Sequence, residues 1–190
     1  FSIRGADVVT ARGELLSVDA HRHPDLYWAV RGAGQGFPGI VTKLHLALQP
    51  RPQHVLRSLY VLPMARAAQA AAWLQEALED SPTSIEVLMV LARGPAEQPV
   101  AMLFASAFAA RADEAHARLA PFAASEWAGE ALSKVEATPS SLEEVLTDKL
   151  NPMTGAGAGA CAVDSIWTAK PADAVAAAAE QLQRAASPLT

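Results

Sequence analysis

Cys161 is the single cysteine of a 190-residue chain, which excludes an intrachain disulfide and a thiolate metal cluster. No apolar run approaches the roughly 20 residues that a membrane helix needs. No basic run marks a nucleic-acid surface, and the formal net charge is −5, so neither a membrane nor a nucleic acid is an expected partner. Aromatics are scarce at 6%, so alanine does much of the apolar work in a chain that is 51% hydrophobic. Alanine loses no side-chain entropy on entering a helix, which makes the Ala-rich stretches helix candidates. The length suits one or two compact units, each with its own core. Phe1-Ser2-Ile3-Arg4 lacks an initiator Met and the apolar region of a signal peptide, and the chain stops abruptly at Ser187-Pro188-Leu189-Thr190. Both ends read as cut, and a cytoplasmic location is expected.

Along the chain, Val8–Thr10 and Leu15–Val18 flank Ala11-Arg12-Gly13-Glu14, a hairpin pattern with a turn glycine. His23-Pro24-Asp25-Leu26-Tyr27-Trp28-Ala29-Val30 predicts a short helix, with Pro24 in the first helical position and Asp25 in the first turn. From Ile40 the period becomes two. Ile40, Thr42, Leu44, Leu46 and Leu48 are expected on one face of a strand, Lys43 and His45 on the other, with Pro50 and Pro52 ending it. After Pro52 the pattern predicts strands over 55–62, 85–91, 100–108 and 132–137, with helices over 65–79 and 111–123. That order, β-α-β-β-α-β, is the split unit of a ferredoxin-like antiparallel sheet. Ser141-Leu142-Glu143-Glu144 offers a capping box for a helix to about Leu150. A glycine-alanine loop over 155–160, a strand over 162–168 and a helix over 171–186 complete the chain. The fold class is α+β, with a boundary expected near Arg51-Pro52 between units 1–51 and 52–190.

Arg31-Gly32-Ala33-Gly34-Gln35-Gly36-Phe37-Pro38-Gly39 is the most informative stretch. Gly34-x-Gly36-x-x-Gly39 matches the dinucleotide fingerprint literally, but that fingerprint follows a strand and opens a helix. Here a helix leads in and a strand leads out, and the acidic residue expected ~20 positions on is missing, so a Rossmann site is rejected. Two readings stand level on glycine count alone. Glycines tolerate positive φ and let a flat ring or an anion approach the backbone; they also make a flexible helix-to-strand connector.

The whole run resembles a known family. Pro24-Asp25-Leu26-Tyr27-Trp28-Ala29, then Arg31-Gly32, then Gly39-Ile40-Val41-Thr42 is similar to a run shared by berberine-bridge-type FAD-linked oxidases of the vanillyl-alcohol oxidase / p-cresol methylhydroxylase (PCMH) class. The hairpin over 6–16 and the strand to Pro50 resemble the family too, so the match covers about 45 residues. The resemblance implies that residues 1–51 are the C-terminal segment of a PCMH-type FAD-binding domain, and that 52–190 belong to a ferredoxin-like substrate domain. It implies FAD as cofactor, with backbone contacts at Gly32, Gly34, Gly36, Phe37, Gly39, Ile40 and Val41. One departure is that the family's Phe directly precedes the last Gly, whereas Phe37-Pro38-Gly39 inserts a proline. The phosphate-binding loop and any residue that tethers the flavin covalently are expected outside this chain, which by itself is expected to bind FAD weakly and to be inactive.

The implied activity is hydride transfer from a small organic substrate to flavin N5, with molecular oxygen as acceptor by analogy; no catalytic side chain is assigned. The rival is a cofactor-free ferredoxin-like module that binds a ligand or forms a homodimer. Other residues carry blander readings. His21-x-His23 is a solvated pair rather than a metal site, and no metal is expected. His45 is an exposed strand residue, and His54 and His116 show no partner pattern. Cys161 is a small buried residue at a strand start. Tyr27 and Trp28 are expected to pack under the hairpin, Tyr60 is a candidate for lining a substrate cavity, and Glu143-Glu144 serve a helix start.

Overall fold

The computed structural model describes residues 2–79, 81–93, 98–147 and 168–184. The chain forms two compact units, Phe1–Arg51 and Pro52–Thr190. Among the described residues no helix is long and apolar enough to cross a membrane.

The first unit is a three-stranded antiparallel sheet in the order β2-β1-β3, with β1 at Ile3–Thr10, β2 at Leu15–Asp19 and β3 at Gly39–Leu46. Gly13 closes the hairpin. Its φ of 79° suits only a residue without Cβ strain, and its N–H donates to the Thr10 carbonyl at 2.9 Å. Helix α1, Pro24–Val30, starts on the rigid ring of Pro24, as its sequence predicts. Asp19 holds the connection into it. One carboxylate oxygen accepts the N–H groups of His21 and Arg22 at 2.9 and 2.8 Å, and the other accepts Arg22 Nε at 2.8 Å. Ala6, Val8 and Val18 are buried, with Leu16, Leu26, Tyr27, Val30 and Phe37 packed on them. The Tyr27 hydroxyl donates to the Ile3 carbonyl at 2.8 Å.

Two expectations for this unit are corrected. The single apolar face of β3 is broken by a register shift. Asp7 pairs with Lys43 but Val8 pairs with Val41, so Thr42 is an extra residue whose hydroxyl donates to the Asp7 carbonyl at 3.1 Å. The bulge puts Ile40 on the face of Lys43 and His45, away from Leu44. Trp28 does not pack under the hairpin: it is 73% exposed, while Tyr27 alone joins the cluster.

The second unit has the ferredoxin-like sheet. Strands β4 (His54–Pro63), β5 (Ile85–Arg93), β6 (Pro99–Ala109) and β7 (Ser133–Ser140) lie in the order β5-β6-β4-β7, all neighbours antiparallel. Helices α2 (Ala67–Leu78) and α3 (Ala112–Ala123) are the two crossovers, and α4 (Leu142–Thr147) and α5 (Pro171–Arg184) follow. On the covered face β4 contributes Leu56, Tyr60 and Leu62, and β6 contributes Ala101, Leu103, Ala105, Ala107 and Ala109. Ala67 and Ala70 of α2 and Ala115 of α3 are buried in the same cluster, and α3 packs close against β6. Trp127 fills the remaining volume, edge-on to Tyr60 at 5.2 Å and to Trp73 at 5.3 Å, with Phe122 at 5.2 Å from Trp73.

Strand β7 runs longer than predicted because a bulge lets it continue. Ala137 adopts φ 47° and donates its N–H to Ser58 Oγ at 2.9 Å, so Glu136 and Ala137 together oppose one residue of β4. The capping box forms as read from sequence. Glu144 N–H donates to Ser141 Oγ at 3.1 Å, and Ser141 N–H donates to the Glu144 carboxylate at 2.9 Å. Cys161, the 155–160 loop, the strand over 162–167 and the helix ends at 148–150 and 185–186 lie outside the described residues.

Two outcomes follow for solution measurements. The small buried cluster of the first unit predicts that amides of β1–β3 exchange with solvent faster than those of β4 and β6; hydrogen exchange showing equal protection in both units would refute this. The backbone N–H groups of His21 and Arg22 and the Arg22 guanidinium hold Asp19 at about 2, below its ordinary 3.8. The contribution of that carboxylate is therefore full above pH 3.8 and lost as pH falls through 2. A carboxyl NMR titration should find the Asp19 midpoint near 2, and a midpoint at the ordinary value would break the assignment.

Candidate functional site

In the first unit the predicted contact residues form one continuous stretch, from the end of α1 through a 3-10 turn at Gly34–Gly36 into β3. The turn is tied internally. Gly32 and Ala33 donate to the Ala29 carbonyl at 3.1 and 2.8 Å, Gly36 donates to Ala33 at 3.0 Å and Phe37 to Gly34 at 3.2 Å. The N–H groups of Gly32, Gly36 and Phe37 are thus committed within the loop. What the glycines offer outward is bare backbone.

Each glycine has its own physical reason. Gly34 has φ 52°, which a side chain tolerates poorly. A Cβ on Gly39 would sit 2.8 Å from Val8 Cγ1 and 3.0 Å from the Val9 carbonyl oxygen, so this glycine lets β3 close on β1. Gly32, Gly34 and Gly36 have nothing within 4 Å of where a Cβ would stand. That open Cα surface is room a flat group can use. Beside it, Trp28, Arg31, Gly32 and Ala33 line a shallow cleft of about 280 Å³. The Arg31 guanidinium lies 4.4 Å from the centre of the Tyr27 ring, which sets its direction.

The remaining predicted positions differ in presentation. The Phe37 ring packs into the apolar cluster and contacts the Gly39 position, so it anchors the loop. Ile40 is 69% exposed and Val41 37%, and the register places them on opposite faces of the edge strand β3. Asp7 carries no local sequence signal, yet its Oδ1 accepts from Ser17 Oγ at 2.8 Å and lies 3.4 Å from His45 Nε2. The Ser17 hydroxyl, then His45, hold the Asp7 carboxyl below its usual range. His45 is therefore partnered and not merely solvated. Among the described residues no group of three or more His, Cys, Asp or Glu is placed to hold a metal ion.

Among the described residues of the second unit, the helices cover one face of the sheet and leave most of the other open. Register assigns the open face row by row. Leu88, Phe104, Leu59 and Val135 lie abreast on β5, β6, β4 and β7. Val90, Met102, Val61 and Ser133 form the next row on one side; Glu86, Ser106, Arg57 and Thr138 form the next on the other. Arg57, Leu59, Phe104, Val135, Thr138 and Ser140 line a cleft of about 230 Å³ there. Tyr60 is not part of this face. It is wholly buried on the helix side, where burial first and then the Glu136 carboxylate push its hydroxyl up to about 12. The parity of β4 decides this: residues 57, 59 and 61 face out, and 56, 58, 60 and 62 face in.

No protein-family model matches the sequence. The FAD-linked oxidoreductase nodO of Hypoxylon pulicicidum is 37% identical over 122 residues, which is 63% of this chain and 27% of that protein. Among solved structures, 6-hydroxy-D-nicotine oxidase from Arthrobacter nicotinovorans aligns with a TM-score of 0.59 and 26% identity over 83% of this chain and 33% of its own. Xylooligosaccharide oxidase from Myceliophthora thermophila C1 gives a TM-score of 0.56 and 26% identity over 75% of this chain and 29% of its own. The chain thus spans about a quarter to a third of the length of these proteins. Sequence identity and shared α+β architecture agree with the motif resemblance: over this stretch the chain is similar to FAD-linked oxidoreductases of the berberine-bridge-like, PCMH type.

Proposed function

We propose that the chain supplies two parts of an FAD-dependent oxidoreductase acting on a small organic molecule: a backbone surface for the cofactor in residues 1–51 and a substrate wall in residues 52–190. The observation that carries the reading is the open Cα surface of Gly32, Gly34 and Gly36 beside the exposed edge strand that begins at Gly39. A Cβ at any of the three would project into the space a flat ring needs. When bound, FAD supplies the acceptor for a hydride from the substrate. The residues of this chain bind and orient. Phe37 and Gly39 seat the loop on the sheet, Arg31 is held over Tyr27, and the side chains of Ile40 and Val41 are presented along the edge. The similarity to nodO, an FAD-linked oxidoreductase, supports the cofactor, and the similarity to 6-hydroxy-D-nicotine oxidase and xylooligosaccharide oxidase supports the reaction class.

A pair of glycine substitutions tests this. Gly36→Val adds a branched side chain where nothing lies within 4 Å, so stability should change by less than about 0.5 kcal/mol. Gly39→Ala puts a Cβ 2.8 Å from Val8 and should destabilise the first unit by about 1–3 kcal/mol. Titration with FAD should shift the amide resonances of residues 32–41 in the native chain and leave them unmoved in the folded Gly36→Val variant. Shifts confined to other residues, or unaffected by that variant, would defeat the assignment.

A further inference from the structure

The open face of the second sheet has a chemical pattern that a cofactor alone does not explain. Its first row, Leu88-Phe104-Leu59-Val135, contains no polar side chain, and the second, Val90-Met102-Val61-Ser133, has a single one, Ser133 at its β7 end. Leu88 and Val135 are 54% and 53% exposed, so the first row is open at both ends. Neighbouring strands lie ~4.8 Å apart, so a row across four strands spans ~14 Å, and adjacent rows on one face are ~7 Å apart. That platform matches a fused ring system rather than a single ring. Beside it lies one polar row, with Arg57, Thr138 and Ser140 at one end of the cleft and Phe104, Leu59 and Val135 at the other.

We infer that this face selects a hydrocarbon substrate of fused-ring or alkyl-aromatic type bearing one uncharged hydroxyl or carbonyl, and selects against oligosaccharides. The inference rests on the reading of residues 52–190 as a substrate wall. An oligosaccharide has a hydroxyl on nearly every carbon. Laid on seven aliphatic or aromatic side chains, it would leave several hydroxyls desolvated and unpaired, each at a cost of binding. A hydrocarbon body gains by covering the same surface, and Phe104 gives it a ring to stack on. The polar group is uncharged because the row already holds both signs. Glu86 and Arg57 stand on either side of Ser106, and the Arg57 charge also acts on Glu144. A charged ligand group of either sign would meet a like charge in that row, Glu86 or Arg57, whereas a hydroxyl or carbonyl finds donors in Arg57 and Thr138; the Ser140 hydroxyl already donates to the Glu144 carboxylate at 2.8 Å. Phe104 is thus the specificity-determining platform, and Arg57 reads the polar end.

The test uses the FAD-loaded protein with two probes, 2-naphthalenemethanol and xylobiose. Binding is read by amide shifts on β4, β6 and β7 and by perturbation of the flavin absorbance. The expected result is that the aromatic alcohol binds at least ~10-fold more tightly than xylobiose. Phe104→Ala and the surface variant Val135→Ser should each weaken the alcohol, Phe104→Ala by ~10-fold. Arg57→Leu should weaken the alcohol but not 2-methylnaphthalene, which lacks the hydroxyl. Xylobiose binding as tightly as the alcohol would overturn the inference, as would folded Phe104→Ala and Val135→Ser variants that bind unchanged. A sedimenting dimer that Val135→Ser dissociates, with no shift from either probe, would assign the face to a second copy of the chain and also overturn it. The alcohol's shifts on β4, β6 and β7 in a protein whose residues 32–41 stay unmoved at saturating FAD would remove the flavin reading and support the ligand class.

Discussion

The two-residue alternation of β4 and β6 is the constraint on which the second unit depends. Both strands turn one face to the helices and one away, and the bonding of β6 to β4 and β5 locks their registers together. A slip of one residue would exchange Leu56, Tyr60 and Leu62 for Arg57, Leu59 and Val61 in the core, which would bury a guanidinium. The same lock sets the rows on the open face. Phe104 stands between Leu59 and Leu88 because Leu103 and Ala105 must face inward. Core and candidate site are therefore two sides of one arrangement, and side chains on the open face can vary in chemistry without any change of position.

Alanine explains why so few aromatics suffice. Five of the buried residues of β6 and the helices facing it are Ala101, Ala105, Ala107, Ala70 and Ala115, whose short side chains bring the layers close. Close layers leave a limited volume, and Trp127, Tyr60, Trp73 and Phe122 fill it with edge-to-face contacts. The first unit has no such reserve. Its buried cluster centres on Ala6, Val8 and Val18, and Ile40, Leu44, Leu46 and Leu48 remain 47–92% exposed. Its geometry is instead maintained by local devices: the Gly13 turn, the Asp19 carboxylate over the loop, the Tyr27 hydroxyl on Ile3 and the missing Cβ of Gly39.

Features that depend on sequence-local physics were legible in the residues alone. The Gly13 hairpin, the Pro24 start of α1, the Ser141–Glu144 capping box and the strand-helix order of the second unit each follow from short-range rules of turn, cap and period. The features that were not legible depend on a partner far along the chain. The bulge at Thr42 is invisible to a count of alternating residues because it exists only relative to Asp7 and Val8 of β1. His45 looked solvated because Asp7, 38 positions earlier, carries no local mark. Tyr60 is only a candidate for a cavity from sequence, because alternation gives two faces and does not say which one the helices cover. Trp28 was placed in a core by the hydrophobicity of its ring, and the turn of α1 put Leu26, Tyr27 and Val30 there instead.

The two candidate surfaces work by different means, and that difference bears on what each can specify. The glycine stretch presents backbone, whose shape depends on φ, ψ and the absence of side chains, so it suits a ligand that is the same in every turnover. Substitution there is limited by geometry: Gly39 has 2.8 Å to Val8, and Gly34 has a φ of 52°. The open sheet face presents side chains on a rigid register, where Leu59, Phe104 and Arg57 can each be exchanged without moving the strands that carry them. On the proposed reading, the cofactor is held by conformation and the substrate is chosen by composition. In that proposal the apolar rows with one polar edge carry the choice of substrate, and a change of substrate would require new side chains at those positions but no new backbone.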